Sequence, residues 1–164
     1  MIERVALAAQ LAAYADAHGP ITVGLAGAGQ MGTDIVVQLS LMPGVRLGVL
    51  SEIRPEAAVE AVQMAGLTRE QFIDAGSTGA AARAIEAGKV AITGDYRVLC
   101  GTDAIDVVID ATGNPNVGTL IALEAMKNGK HIVMLNVEAD ITIGRYLKQE
   151  ARKAGVVFTG AAGD

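Results

Sequence analysis

The chain has 164 residues, a formal net charge of −5 at pH 7 and a hydrophobic fraction of 51%. This composition supplies the core of one globular domain and excludes intrinsic disorder. The acidic balance and an aromatic content of 3% argue against a nucleic-acid partner, which needs a basic face and stacking rings. One cysteine and two histidines predict neither disulfides nor a metal site. Since no apolar run is long enough to span a bilayer, we expect no membrane partner and a cytoplasmic location.

The predicted elements alternate between helices and short apolar strands along the whole chain. The first half predicts a helix over 2–18, a strand over 21–26, a helix over 33–41, a strand over 45–50, two or three helices over 55–88 and a strand over 90–93. The second half predicts a strand over 105–109, a helix over 117–128, a strand over 131–135, a helix over 141–154 and a strand over 156–159. Such alternation is typical of an α/β fold. We predict a Rossmann-type, doubly wound parallel sheet in three layers, with an extra N-terminal helix.

A glycine motif, Gly27-Ala28-Gly29-Gln30-Met31-Gly32, joins the first strand to the helix that follows it. In a dinucleotide site, Gly27 would permit the tight turn and Gly29 would let the backbone approach a pyrophosphate. Gly32 would let the helix close on the strand, and the free N–H groups of that helix would hold the phosphates. The alternative is a structural tight turn in another α/β fold. A P-loop is excluded, because no Gly-Lys-Ser/Thr sequence follows.

An acidic residue, Glu52, lies just beyond the end of the second predicted strand, twenty residues after Gly32. This position suits a carboxylate that accepts hydrogen bonds from the adenosine ribose hydroxyls of NAD(H). Arg54 lies two residues further on, where it would pair with the extra phosphate of NADP(H) with help from Ser51. Alternatively, Arg54 is a solvated loop charge. The sequence therefore predicts a nicotinamide dinucleotide and leaves the choice between NAD(H) and NADP(H) open.

The turns after the fourth and fifth predicted strands would meet at the same edge of the sheet, beside the nicotinamide. The candidate contacts there are Ala111, Thr112, Gly113, Asn114, Pro115, Asn136 and Glu138. The alternative for the first turn is a simple entry into a helix that begins at Pro115. Glu138 is either a catalytic carboxylate or a helix-opening acid, and Asp140 is interpreted as a helix cap. No catalytic acid or base can be identified from the sequence.

Four segments together carry a resemblance: the glycine motif, Glu52, Asp110-Ala111-Thr112-Gly113 and Asn136-Val137-Glu138-Ala139-Asp140. They resemble the N-terminal NAD(P)-binding domain of homoserine-dehydrogenase-like oxidoreductases. The resemblance is closer to the branch with a C-terminal SAF domain, which includes deoxyxylulose-phosphate-reductoisomerase-like enzymes of isoprenoid biosynthesis. It covers nearly all of this chain and the first third of such a protein. One departure is Asn136-Val137, where homoserine dehydrogenases have Asn-Lys.

The resemblance assigns the candidate residues to three parts of the cofactor. It places the pyrophosphate at Gly27, Gly29, Gln30, Met31 and Gly32, the ribose at Glu52 and Arg54, and the nicotinamide at residues 112–115. It implies that residues 1–164 are the dinucleotide-binding domain of a longer oxidoreductase, whose C-terminal part binds a small carbonyl or hydroxy substrate. The implied reactions are NADPH-dependent conversion of deoxyxylulose phosphate to methylerythritol phosphate, or a homoserine-dehydrogenase-like reaction.

Three questions stay open at this point. One concerns catalysis, because a non-catalytic dinucleotide sensor would use the same motif. Another concerns the ligand, because an adenosylmethionine methyltransferase core also binds a nucleotide, although the glycine spacing fits it less well. The last concerns assembly, because the alanine-rich N-terminal helix either covers the sheet or pairs with a second copy in a homo-oligomer. We expect the chain alone to be catalytically inactive.

Overall fold

The structure is a computed structural model that describes residues 7–161. The strands are β1 (Ile21–Ala26), β2 (Val45–Ser51), β3 (Phe72–Asp74), β4 (Val90–Thr93), β5 (Val107–Asp110), β6 (His131–Met134) and β7 (Phe158–Gly160). The helices are α1 (Leu7–His18), α2 (Gln30–Leu41), α3 (Pro55–Met64), α4 (Thr78–Glu86), α5 (Tyr96–Gly101), α6 (Pro115–Lys127) and α7 (Val137–Ala154). A 3-10 turn, Arg69–Gln71, precedes β3.

The seven strands form one parallel sheet in the order β3-β4-β2-β1-β5-β6-β7. The last residue of β1, Ala26, pairs with Ser51 of β2 on one side and with Asp110 of β5 on the other. The three central strands therefore end at the same level. The chain first builds the sheet outward from β1 through β2 and later resumes on the opposite side with β5. This reversal opens a crevice at the carboxyl ends of β1 and β5, where ligands of such folds bind.

The helices cover both faces of the sheet, which confirms the predicted three-layer, doubly wound fold. Helices α2 and α3 pack on one face, where Val36 and Val62 join Leu25 and Leu50 in one core cluster. Helices α4 to α7 pack on the other face around a second cluster that contains Val108. Because the central strands are buried on both faces, they carry the continuous apolar runs seen in the sequence.

Strand β3 corrects the prediction of a purely helical stretch over 55–88. Phe72 is buried at the edge of the sheet and pairs with Val90 of β4, while Ile73 pairs with Ala91. The residues Thr68-Arg69-Glu70-Gln71 have the sequence of a capping box, and the contact is present, because Thr68 N donates to the side chain of Gln71 at 2.8 Å. That contact opens a 3-10 turn and not an α-helix. Pairing with β4 supplies hydrogen bonds that a propensity argument does not count. Helix α5 was not predicted either.

Three helices begin earlier than the sequence predicts. Helix α2 begins at Gln30, directly after the N-cap Gly29, and not at Thr33. Helix α6 begins at Pro115 and not at Val117, as expected for a proline in a first helical turn. Helix α7 begins at Val137, because Asn136 caps it by accepting a hydrogen bond from Ala139 N. Asp140 therefore lies inside the helix, and its predicted role as the cap is wrong.

The described part of the N-terminal helix, Leu7–His18, is packed loosely. None of its residues is buried, and Leu7 is 66% exposed. It touches the turn between α2 and β2, where a side chain at Gly44 would collide with the Leu11 carbonyl. The predicted part of this helix over 2–6 lies outside the described residues. Over residues 7–161, no helix has both the length and the apolar content that a membrane crossing requires.

Candidate functional site

A cavity of about 350 Å³ lies at the carboxyl ends of β1, β2 and β5. Its lining residues are Ala26, Gly27, Gly29, Ser51, Glu52, Ile53, Arg54, Gly94, Tyr96, Ala111, Thr112, Asn114, Val117 and Ile121. The cavity therefore runs from the end of β2, across the glycine motif, to the turn after β5. Seven of the fourteen predicted contact residues line it. These are Gly27, Gly29, Glu52, Arg54, Ala111, Thr112 and Asn114.

The first and third glycines of the motif are needed for close backbone packing. Gly27 has a φ of +96°, and a Cβ there would lie 2.7 Å from the Ala111 carbonyl oxygen. Its N–H donates to the Ser51 carbonyl at 2.8 Å, which fixes the turn to the end of β2. At Gly32 a Cβ would overlap the Gly27 carbonyl oxygen. Both positions thus require glycine for the fold itself.

The middle glycine has a different environment. Gly29 has extended backbone (φ −72°, ψ −169°) and caps α2 without a side-chain hydrogen bond. A Cβ at this position would meet no atom within 4 Å. The first N–H groups of α2 are therefore left without a capping side chain beside an open space, which is an arrangement that suits an anion. Gln30 and Met31 are exposed on α2 and do not line the cavity.

Glu52 connects the end of β2 to the glycine motif. Its side chain is only 8% exposed, and its Oε2 accepts a hydrogen bond from Ala28 N at 2.8 Å. Its Oε1 accepts from Arg54 N at 3.0 Å and from Arg54 Nε at 3.3 Å. Burial by itself raises the pKa of Glu52, but these hydrogen bonds outweigh burial and hold the pKa below its usual value. The carboxylate is therefore ionised at neutral pH, with Arg54 directed toward it.

The turn after β5 both lines the cavity and leads into a helix. The two predicted alternatives, a contact surface for the cofactor and the start of a helix, are therefore compatible. Ala111 N donates to the Ala26 carbonyl at 2.8 Å and holds the turn against β1. Thr112 and Asn114 line the cavity, and the Asn114 side chain caps α6 by accepting from Asn116 N and Val117 N. The intervening Gly113 is exposed at a φ of +65°.

The two candidates after β6 lie differently from each other. Asn136 is 1% exposed, and its amide bonds to groups of the protein beneath the cavity wall. Glu138 is exposed in the first turn of α7, where an acidic side chain favours the helix dipole. Neither residue lines the cavity, and neither does Gly113 or Pro115. The described residues of this end therefore offer a hydroxyl and an amide, from Thr112 and Asn114.

Sequence reasoning missed several residues of the cavity wall. Tyr96 is the most prominent, because it brings an aromatic ring to the cavity from the start of α5. The signal was the Asp95 cap, which accepts from Arg97 N at 2.9 Å and marks a helix start directly after β4. Ile53, Val117 and Ile121 add apolar wall. These residues reach the cavity through the packing of the fold, and no sequence motif marks them.

A family model described as the homoserine dehydrogenase NAD-binding domain matches residues 27–159. The chain belongs to this family. A curated homoserine dehydrogenase from Methylobacillus glycogenes is 32% identical over 117 residues, which are 71% of this chain and 25% of that protein. The chain thus spans about a quarter of the length of this relative. The matches confirm the predicted homoserine-dehydrogenase-like family and a nicotinamide dinucleotide as its cofactor, but they do not confirm the predicted SAF-domain branch.

Solved structures give the same fold at low sequence identity. A biliverdin reductase from Synechocystis sp. PCC 6803, in complex with biliverdin and NADP+, has a TM-score of 0.61 at 20% identity, with 86% of this chain and 37% of that chain covered. A homoserine dehydrogenase from Thiobacillus denitrificans has a TM-score of 0.61 at 19% identity, with 86% and 29% covered. A scyllo-inositol dehydrogenase from Lactobacillus casei with bound NAD(H) has a TM-score of 0.60 at 15% identity, with 87% and 36% covered.

Proposed function

We propose that residues 1–164 form the cofactor-binding domain of a longer, homoserine-dehydrogenase-like oxidoreductase. In this proposal an extended NAD(H) or NADP(H) molecule lies along the carboxyl edge of β2, β1 and β5. The observation that carries the proposal is the open space at Gly29, which lines the cavity and begins α2 without a capping side chain. The family match supports the same ligand class.

The pyrophosphate would lie over Gly29. Two negatively charged phosphates need donors, and the N-terminus of α2 supplies backbone N–H groups together with the positive end of the helix dipole. The space that a Cβ would fill at Gly29 is empty of protein atoms, so phosphate oxygens can approach the backbone there. Gln30, Met31 and Gly32 contribute as the first turn of the helix and not as cavity wall.

The adenosine ribose would lie at the end of β2. Glu52 presents an ionised carboxylate there, and its three hydrogen bonds with Ala28 and Arg54 leave an acceptor site on Oε2 that a ribose hydroxyl can use. Arg54 is 61% exposed, so its guanidinium can keep the pair with Glu52 or turn to the ribose phosphate of NADP(H). The cofactor preference therefore depends on these two side chains.

The nicotinamide would lie beside Thr112 and Asn114, at the other end of the cavity. When bound, the nicotinamide ring supplies hydride transfer to or from a carbon of the substrate. Neither Thr112 nor Asn114 titrates near neutral pH, so the described residues at this end hold and orient the ring without exchanging a proton. The residue that transfers the proton would come from the rest of the longer protein, together with the substrate pocket.

The substrate class follows from the relatives and is part of the proposal. Homoserine and its aldehyde are the first candidates, because the curated relative at 32% identity is named a homoserine dehydrogenase. Deoxyxylulose phosphate is the second candidate and rests on the sequence resemblance alone. Homo-oligomerisation through the exposed α1 and a cytoplasmic location stay predictions.

Calorimetric titration of this chain with NADH and with NADPH tests cofactor binding. We expect one molecule to bind per chain, with a preference for one of the two dinucleotides. Adenosylmethionine serves as the control ligand and should not compete. If a folded sample binds neither dinucleotide, the proposal is wrong.

The substrate is tested on the longer protein by following oxidation or reduction of the nicotinamide. We expect turnover with homoserine and the preferred cofactor, and none from residues 1–164 alone. Turnover with deoxyxylulose phosphate in place of homoserine would select the second candidate. Turnover by the short chain would contradict its assignment as a cofactor-binding domain.

A further inference from the structure

A buried carboxylate lies directly beneath the nicotinamide end of the cavity. Asp110, the last residue of β5, is 0% exposed. Its Oδ1 accepts hydrogen bonds from Thr112 N at 3.1 Å and from Thr112 Oγ1 at 2.7 Å. Its Oδ2 accepts from Asn136 Nδ2 at 3.2 Å. All of these donors are uncharged, and within residues 7–161 Asp110 forms no ion pair, so here a carboxylate is buried with neutral hydrogen-bond donors.

Asn136 joins this carboxylate to the two helices that begin next to it. Its Oδ1 accepts from Ala139 N at 3.2 Å and caps α7. Its Nδ2 donates to the Asn114 carbonyl at 2.8 Å as well as to Asp110. Since capping α7 needs only the oxygen, the nitrogen is free for a second task. That task is to tie the end of β5 and the start of α6 to the start of α7.

Helix α6 packs closely against this pair. At Gly118 a Cβ would overlap Asp110 Oδ2 and lie 2.6 Å from Asn136 Nδ2, so only a glycine fits there. This packing restricts the pair on the side of α6. Thr112 and Asn114, which line the cavity, are bonded directly to it.

We infer that Asp110 and Asn136 are a positioning pair that sets the nicotinamide end of the cavity by holding Thr112 and Asn114 in place. The inference rests on the proposed function, because it assigns that end to the nicotinamide. It changes the role of Asn136 from a cofactor contact, as predicted from the sequence, to a residue that acts through its neighbours. Burying a carboxylate that forms no ion pair with the described residues lowers the stability of the fold. We therefore explain the presence of Asp110 by the positions it gives to its neighbours and not by a gain in stability.

The test compares two ligands that differ only at the nicotinamide ring. ADP-ribose carries the adenosine, the pyrophosphate and both riboses, and NADH adds the ring; for an NADPH-preferring chain, the 2′-phosphorylated pair is used. In Asn136→Ala we expect affinity for the full cofactor to fall about tenfold, because Thr112 and Asn114 lose the contact that holds them in place beside the ring. Affinity for the ADP-ribose compound should stay within about threefold of the original, because residues 27–54 are untouched.

A reciprocal exchange separates positioning from a merely structural role. Asn136→Asp keeps an oxygen for the α7 cap but sets a second carboxylate against Asp110, so cofactor affinity should fall at least as far as in Asn136→Ala. Adding Asp110→Asn restores one donor and one acceptor across the contact. We expect this double variant to recover at least part of the lost cofactor affinity. It also provides a measurable variant if Asn136→Ala does not fold.

Ser77→Ala is the matched control, because Ser77 caps α4 by accepting from Ala80 N and does not line the cavity. It should lower stability and leave the affinity ratio of cofactor to ADP-ribose unchanged. Equal loss of both ligands in Asn136→Ala, or no recovery in the double variant, would overturn the inference while leaving the proposed function intact. Failure of the unaltered chain to bind either dinucleotide would overturn both.

Discussion

The two halves of the cavity keep their shape by different means. Around β1 and β2 the glycine motif sets the shape: Gly27 and Gly32 allow close contacts between main-chain atoms, Gly29 leaves a space, and the Glu52 carboxylate ties the motif to the end of β2. We call this the backbone-built half. Around β5 and β6 the wall is held by side chains, because Asp110 and Asn136 anchor the turns there. We call this the network-built half.

Each half also contains a buried carboxylate at the carboxyl end of a strand that neighbours β1. Glu52 accepts backbone N–H groups and pairs with an arginine, and these interactions hold its pKa below the usual value although burial alone would raise it. Burial raises the pKa of Asp110, and the hydrogen bonds from Thr112 and Asn136 oppose this rise only in part. The environment therefore favours the ionised form of Glu52 on one side of β1 and disfavours the ionised form of Asp110 on the other.

The largest effect on stability is expected from Gly27→Ala, which places a side chain in the backbone-built half. The new Cβ would sit 2.7 Å from the Ala111 carbonyl in a residue held at a φ of +96°. We expect the free energy of unfolding to fall by about 3 kcal/mol, from left-handed strain and backbone displacement together. Urea unfolding followed by circular dichroism measures this change.

Gly79→Ala is the control for that substitution. Gly79 lies in α4, where a Cβ would be at an ordinary distance of 3.5 Å from an Arg83 nitrogen. In this helix we expect a gain of about 0.5 to 1 kcal/mol. If Gly27→Ala were as stable as Gly79→Ala, the glycine turn would not owe its shape to the backbone of Gly27.

A second prediction separates binding from folding within the same motif. Gly29→Ala adds a methyl group where no protein atom lies within 4 Å, so the free energy of unfolding should change by no more than about 1 kcal/mol. The methyl group fills the proposed pyrophosphate space, and we expect about a tenfold loss of affinity, equal to about 1.4 kcal/mol. Calorimetry should show this loss for NADH and ADP-ribose alike, in contrast to Asn136→Ala. Unchanged affinity would place the pyrophosphate elsewhere.

The backbone-built half was predicted from sequence because its requirements are local. A glycine spacing of 27, 29 and 32 after an apolar strand predicts a turn, an open space and a close contact within six residues. The structure has all three. Glu52 was predicted from the same pattern, since an acidic residue about twenty residues after the last glycine is part of it.

The network-built half was beyond sequence reasoning because its contacts are long-range. Asp110 and Asn136 are 26 residues apart, and only the pairing of β5 with β6 brings them together. Asn136 was predicted as a cofactor contact, and its bonds to Asp110 and Asn114 were not predicted. Strand β3 was missed for a similar reason, because Phe72 and its two neighbours are too few for a periodic signal and are recognised only through pairing with β4.

The smallest expected effect sharpens the contrast between the two carboxylates. A carboxyl whose pKa is lowered by folding stabilises the protein above its unfolded value, about 4.3 for glutamate, and loses this contribution as pH falls through the folded value. Glu52→Gln should therefore make the acid-induced loss of stability shallower. The raised pKa of Asp110 has the opposite sign: protonation relieves the buried charge, so this group adds stability as pH falls. Asp110→Asn should make the acid-induced loss steeper.

Urea midpoints measured from pH 7 down to about pH 2.5 give both slopes, since this range extends below the ordinary carboxyl values of about 3.9 and 4.3, where the contribution of Glu52 is lost. The slope, and not the stability at one pH, is the quantity to compare, because each substitution also alters hydrogen bonds that do not depend on pH. Ser77→Ala removes a helix cap without removing a titrating group. Its plot of urea midpoint against pH should therefore lie below that of the unaltered protein and run parallel to it. If the slope of stability against pH changed in the same direction for Glu52→Gln and Asp110→Asn, folding would shift the pKa of both carboxyls in the same direction. The opposite electrostatic environments of the two halves would then be disproved.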